Sequence, residues 1–383
     1  MTGAVNDSLT FDGGLVALAT TQGAYMESQS GLQRGKPRIY CRYQPAANGA
    51  KDLAFIVFHP TSNFHGHYLI EPLAKLGAGV LALNTRYVGN DSMLIMERAV
   101  QDVGAGMRFL RGQGYQRIVM LGNSGGGSLA AFYQEQAEKA TVTTTPDGRP
   151  FDICQEALPA ADAIALIAAH PGRASQLLAK IDGSVLDESD KPLLDAELDI
   201  FDAKHREGFD SEWLATYRAA QARRLERITV WVEQRLRELD TTAHPDVADH
   251  AFIIRRTQAD PRNLDLKLDA NDRKVGSLGG DARNYNEAAN GLGRFCTLRS
   301  FLSQWSVRHT RAEGPRCLAA TSAPVLLLNF TADQTVFPSH VTVWQKAAAG
   351  RCTTQDIKGA PHYLVGMPEV TDRVARLLVD WSR

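Results

Sequence analysis

Several familiar signatures are missing from this chain. Its five cysteines, Cys41, Cys154, Cys296, Cys317 and Cys352, are odd in number and scattered, with no C-x-x-C pair. That argues against a disulfide framework or a zinc ribbon, and Cys41 and Cys352 read as small buried hydrophobes. No apolar run approaches the length needed to span a bilayer. The formal net charge is −1 over 383 residues, so no global field draws nucleic acid or an anionic membrane. Residues 1–11 lack the basic start and apolar centre of a secretory signal, and the expectation is a cytoplasmic protein. There is no internal repeat and no low-complexity tract. The expected partner is a small-molecule substrate, with no cofactor, and the sequence leaves open whether the chain forms a homo-oligomer.

What is present is an alternation. Residues 15–26 and 37–45 read as early strands, and 53–58 is a continuous apolar run, as in a strand buried on both faces. A helix over 72–76, a strand over 80–84, a helix over 91–112 and a strand over 117–121 follow. Helix 124–140 and the buried strand 163–169 come next. The same pattern resumes late, with strands at 324–330 and 353–357 and a terminal helix over 371–381. This predicts an α/β fold, with a mainly parallel, doubly wound sheet covered on both faces. Between them charge becomes dense and helical periodicity takes over. Over 212–239, Tyr217, Leu225, Ile228, Val232, Leu236 and Leu239 recur close to every 3.6 residues, and 296–305 reads as a further helix. The organisation predicted is a core in two pieces, 1–171 and 318–383, with a helical cap inserted at 172–317.

The informative local string is Gly122-Asn123-Ser124-Gly125-Gly126, a G-x-S-x-G placed between a buried strand and a helix. A sharp strand-to-helix turn strains the serine backbone and lifts its hydroxyl above the sheet. The residues two before and two after must be small, and both are glycine. Helix N–H groups then point at developing negative charge. A plain glycine-rich turn is the bland reading. Residues 125–130 also fit G-x-G-x-x-A, but the fingerprint sits mid-chain and the acidic residue expected about 20 positions on is missing. A phosphate loop would need G-K-[ST], which is absent.

A serine nucleophile needs a base held by a third group. Asp333 lies just past the strand 324–330, and His362 follows the strand 353–357, 29 residues after Asp333. Alone, each reads as a helix cap or a loop histidine; together they stand in the order Ser, acid, His. With Gly122–Gly126, Asp333–Val336 as D-x-x-V and Gly359–His362 as G-x-x-H, the chain resembles the α/β-hydrolase superfamily over roughly 36–171 and 318–383. The resemblance implies Ser124 as nucleophile, His362 as base and Asp333 as the orienting acid. It implies an oxyanion hole with one N–H from Gly125 and a second from the loop after 53–58. The family commonly has His-Gly there; this chain has His59-Pro60-Thr61, and Pro60 has no N–H to donate. Thr61 is therefore the expected donor, with Ser62 as the alternate.

Other residues near these strand ends invite a role. His59, Ser62, His65 and His170 are candidates for substrate contact. His65-Gly66-His67 has two histidines at i, i+2, but no third ligand with suitable spacing, so lining the pocket mouth is preferred to metal binding. Arg86 is expected to tie loops together, and Trp213, Trp231 and Trp305 to pack within the cap. The expected chemistry is acyl transfer to water on a carboxylic ester or lactone. Thioesters, amides and C–C bonds stay open on the same residues, and a non-catalytic binding protein is the alternative of another class. Haloalkane and epoxide hydrolysis are disfavoured, since those members of the fold use a carboxylate where this chain has Ser124.

Overall fold

Residues 13–22, 37–242, 249–277 and 279–383 are described by the computed structural model. The early core runs β1 (Gly14–Ala19), β2 (Arg38–Gln44), β3 (Leu53–His59), α1 (Ile70–Lys75), β4 (Gly79–Asn84), α2 (Met96–Gly112), β5 (Arg117–Asn123), α3 (Gly126–Glu138) and β6 (Ala163–Ile167). The insertion carries α4 (Arg173–Lys180), α5 (Ser211–Leu239), β7 (Ala251–Ile253), α6 (Ala282–Glu287), β8 (Phe295–Thr297) and α7 (Leu298–Gln304). The chain then returns through α8 (Gly314–Ala319) to β9 (Val325–Phe330), α9 (Pro338–Ala347), β10 (Cys352–Ile357) and α10 (Pro368–Ser382).

Eight strands form one sheet in the order β1-β2-β4-β3-β5-β6-β9-β10. The β1–β2 and β2–β4 pairs are antiparallel; every pair from β4 to β10 is parallel. The apolar run of β3 is explained by its two faces. Ala54, Ile56 and Phe58 belong to the core beneath α2, α3, α8 and α9, while Leu53, Phe55 and Val57 belong to the core beneath α1 and α10. Each large side chain so buried contributes about 1.5–3 kcal/mol, and neither face can be made polar without loss.

Three local expectations shift. The predicted helix 91–112 begins only at Met96, because Ile95 is extended (φ −111°, ψ 113°) and the Met96 N–H donates to Ser303 Oγ of α7 at 2.8 Å. The predicted helix 296–305 opens with β8, after which Thr297 caps α7 by accepting from the Ser300 N–H. β1 ends at Ala19, and residues 23–26 of the strand predicted there lie outside the described residues. Among the described residues no helix is long and apolar enough to cross a membrane.

The insertion departs from a mostly helical cap. It combines the long α5 with short helices, the β7–β8 pair and largely irregular stretches over 182–210 and 254–277. Leu225, Ile228, Val232 and Leu236 pack with Leu177, Ile254, Phe301 and Trp305 into a core of the insertion's own. The insertion's two ends meet where the Gly314 N–H donates to the Pro171 carbonyl at 2.7 Å. A Cβ at Gly314 would lie 2.2 Å from the Trp344 ring, so this junction closes only on glycine.

Candidate active site

Ser124 follows the last residue of β5 with φ +56°, a left-handed conformation costing a non-glycine residue roughly 1–2 kcal/mol. The surroundings hold it there. Its N–H donates to the Ile167 carbonyl at 3.1 Å, and Asn123 Nδ2 donates to the same oxygen at 2.9 Å. The flanking glycines are steric necessities. A Cβ at Gly122 would stand 2.7 Å from Gly127 Cα, and one at Gly126 would stand 2.2 Å from the Phe58 carbonyl oxygen. The strained serine is thus the consequence of a helix that starts against the end of the neighbouring strand.

Asp333 and His362 arrive from β9 and β10. Their joining segments are cross-braced, since the Ala332 N–H donates to the Ala360 carbonyl at 2.9 Å. Ser124 Oγ lies 3.0 Å from His362 Nε2, and His362 Nδ1 lies 2.7 Å from Asp333 Oδ2. Asp333 is fully buried, and its Oδ1 accepts from the Thr335 and Val336 N–H groups at 2.8 and 3.0 Å. Both carboxylate oxygens are therefore acceptors. Nδ1 of His362 must donate, which leaves Nε2 to accept the serine proton. The structure brings all three sequence-predicted residues into one hydrogen-bonded line, a geometry suited to activating a hydroxyl.

The remaining candidates separate. His65 Nε2 bonds the Tyr40 carbonyl at 3.0 Å, on β2, three strands away from β5; it ties a loop to an outer strand and is not brought to Ser124. His67 is buried and donates through Nε2 to Asn123 Oδ1 at 3.0 Å, supporting the serine turn from below. The two histidines thus serve different elements, and among the described residues no group of three or more metal-ligating side chains forms. Arg86, expected to tie loops together, instead ties the segment after β4 to the fully buried Asp102 of α2, and also bonds Thr20 beyond β1. Trp213 stacks on Phe209 and Tyr217, and Trp305 lies under the Arg173 guanidinium at 4.2 Å, both within the insertion. Trp231 packs edge-on against Phe252 and is 39% exposed.

The second donor expected after β3 is Thr61. Its N–H donates to His59 Nδ1 at 3.1 Å, and the alternate, Ser62 N–H, donates to the same nitrogen at 2.9 Å. The reason is His59 itself: its ring folds back over the two residues that follow Pro60. His170 is also buried, and its Nδ1 has no hydrogen-bond partner. Burial first, then the Arg173 and His362 charges, pulls His59 down to about 3. Burial, followed by the Lys180 charge, pulls His170 well below the ordinary imidazole range. Both rings are neutral at ordinary pH.

Some site residues carry no sequence signal. Lys180 of α4 is buried, and its Nζ donates to Thr335 Oγ1 at 2.7 Å; burial pulls its ammonium down to about 8. Asn271 Nδ2 donates to the Asp333 carbonyl at 2.7 Å. The insertion therefore touches the acid-bearing loop through side chains distant in sequence, a relation that no local pattern encodes. Tyr363 sets its ring across that of His362, with centroids 4.6 Å apart.

No protein-family model matches the sequence, and no curated protein matches it. Among solved structures the chain is similar to DcsB, described in complex with its substrate analogue, at 12% identity over 97% of this chain and 98% of that one, with a TM-score of 0.50. It also aligns with the esterase domain of a Rhodothermus marinus protein at 13% identity, over 97% and 98% of the two chains, TM-score 0.47. The monoacylglycerol lipase of Paleococcus ferrophilus aligns at 16% identity, over 90% and 98%, TM-score 0.44. At such identities the DcsB likeness bears on fold alone. It agrees with the mainly parallel eight-stranded sheet flanked by helices: the chain has the α/β-hydrolase fold.

Proposed function

We propose that this protein is a serine hydrolase that cleaves a carboxylic ester or lactone of a small organic molecule through an acyl-enzyme. The observation that carries the reading is the unbroken line from Ser124 Oγ through His362 to buried Asp333, at 3.0 and 2.7 Å. In this reading Ser124 Oγ attacks the carbonyl carbon and passes its proton to His362 Nε2. Asp333 holds the ring in the required tautomer and stabilises the imidazolium. His362 then protonates the leaving alkoxide, and water repeats the sequence to release the acid. The Gly125 N–H, which makes no hydrogen bond among the described residues, is one donor to the oxyanion. Alkoxide leaving groups suit this machinery best, which favours esters and lactones over amides. The insertion at 172–317, anchored to the acid-bearing loop by Lys180 and Asn271, limits the size of the substrate.

The test is labelling by a small fluorophosphonate together with a turnover screen across acyl-chain lengths, lactones and aromatic esters. Ser124→Ala is expected to abolish labelling and to lower turnover by on the order of 10³–10⁶-fold with folding retained. A Ser124→Ala protein that turns over at the wild-type rate would overturn the reading. A wild-type protein that neither labels nor hydrolyses any ester would favour a binding protein on the same fold.

A further inference from the structure

With the Thr61 and Ser62 amides directed at His59, Gly125 needs a different partner at the oxyanion. We infer that the side chain of His59, through Nε2–H, is the second oxyanion donor of this site, replacing the backbone amide expected after β3. The inference rests on the Ser124 reading given above.

Three observations meet. The first is the tautomer. His59 Nδ1 receives two N–H groups, at 3.1 and 2.9 Å, so its lone pair lies there and a proton on that nitrogen would face both donors. A neutral ring must then carry its hydrogen on Nε2. The second is position. A Cβ built on Gly125 would lie 2.8 Å from His59 Nε2. Nε2 therefore stands against the Cα of the residue that carries the other donor, next in sequence to Ser124. The third is availability: Nε2 has no hydrogen-bond partner among the described residues, although the residue is buried. A fixed and unpartnered N–H on a buried ring, next to the residue that follows the nucleophile, is what a preorganised oxyanion donor requires.

His170 is the rival, with Nε2 at 3.3 Å from the same point. No hydrogen bond fixes its tautomer among the described residues, and its Nδ1 is unpartnered, so nothing directs a hydrogen from it toward the site. The arrangement also accounts for glycine at 125. Its backbone is ordinary (φ −62°, ψ −15°), so glycine is needed there to make room for the imidazoles. In the reaction, Ser124 Oγ bonds to the carbonyl carbon as the C=O π pair moves onto oxygen. That oxygen accepts hydrogen bonds from Gly125 N–H and His59 Nε2–H, neither of which transfers its proton. The serine proton goes to His362 Nε2.

The deciding experiment uses His59→Asn in the full chain. Asn Oδ1 takes the place of Nδ1 and keeps the Thr61 and Ser62 amides bonded, while the shorter side chain brings no donor to the position of Nε2. The expected result is a fall in kcat of about 10²–10³-fold, with KM within a few-fold of wild type. Affinity for a trifluoromethyl ketone, whose hemiketal oxygen sits in the oxyanion position, falls in parallel, while that for the matching methyl ketone does not. A kcat within threefold of wild type, or unchanged trifluoromethyl ketone binding, overturns the inference and returns the role to an amide of Thr61 or Ser62. If the variant does not fold, Gly125→Ala, which displaces the ring without altering it, decides in its place by the same two readouts. Activity lost in Ser124→Ala but retained in His59→Asn rejects this inference alone; activity retained in both rejects the hydrolase reading as well.

Discussion

Gly125→Ala isolates steric room from every other property of the serine turn. At φ −62° and ψ −15° the backbone accepts alanine without strain, and losing glycine's freedom in the unfolded chain stabilises the fold by about 0.4–1 kcal/mol. The added methyl, however, stands 2.8 Å from His59 Nε2 and 3.3 Å from His170 Nε2. The first distance is about half an ångström short of ordinary contact. The ring must withdraw, and doing so stretches the hydrogen bonds from Thr61 and Ser62, each contributing about 1 kcal/mol. The net loss of stability is therefore about 1–1.5 kcal/mol, a shift of about 1–2 °C in Tm for a chain of this length. Turnover falls further. The Gly125 N–H survives as the Ala N–H, yet a donor moved by this much costs about 10–100-fold. The assay pairs kcat and KM on a p-nitrophenyl ester with calorimetric unfolding. An alanine variant with wild-type kcat would show that no group acting on the oxyanion occupies that point. A variant that lost stability and activity in equal proportion would place His59 in the fold and not in the chemistry.

Asp333→Asn keeps an acceptor for the Thr335 and Val336 amides but reverses the hydrogen at His362 Nδ1, so kcat is expected to drop about 10⁴-fold with Tm nearly unchanged; a fully active variant would place the acid elsewhere. Burial pulls His67 down to about 4. The native state thus refuses a proton that the unfolded chain accepts below 6.5, and the stability His67 contributes, about 3 kcal/mol, is present above pH 6.5 and lost as pH falls toward 4. His67→Gln should flatten the fall in urea stability between pH 6.5 and 4, and an unaltered slope would refute the assignment. Arg86→Met leaves Asp102 buried without its partner, at an expected cost of about 3–5 kcal/mol, while Ser124 still labels with a fluorophosphonate in the folded fraction; an unchanged Tm would contradict the buried pairing.

The sequence determined what depends on neighbours along the chain. The apolar runs that became β3, β5, β6 and β9 could be read because a strand buried on both faces has no polar position to spare. The serine turn could be read because a G-x-S-x-G between a buried strand and a helix is a local string, and Asp333 and His362 because each follows a strand in the order Ser, acid, His. Tertiary structure decided whatever turns on the direction of a group in space. His65 and His67, two residues apart, went to opposite sides of their loop. The apolar stripe of α5 has the period of a surface helix, and the same period serves a roof over the site or a core within the insertion; only the approach of α7 and β7 made it the latter. Lys180 and Asn271 meet the acid-bearing loop from positions distant in sequence. The position of Thr61 was marked by the family pattern, but the aim of its N–H was set by the fold of the His59 ring, because a hydrogen-bond donor is specified by orientation and sequence spacing carries none.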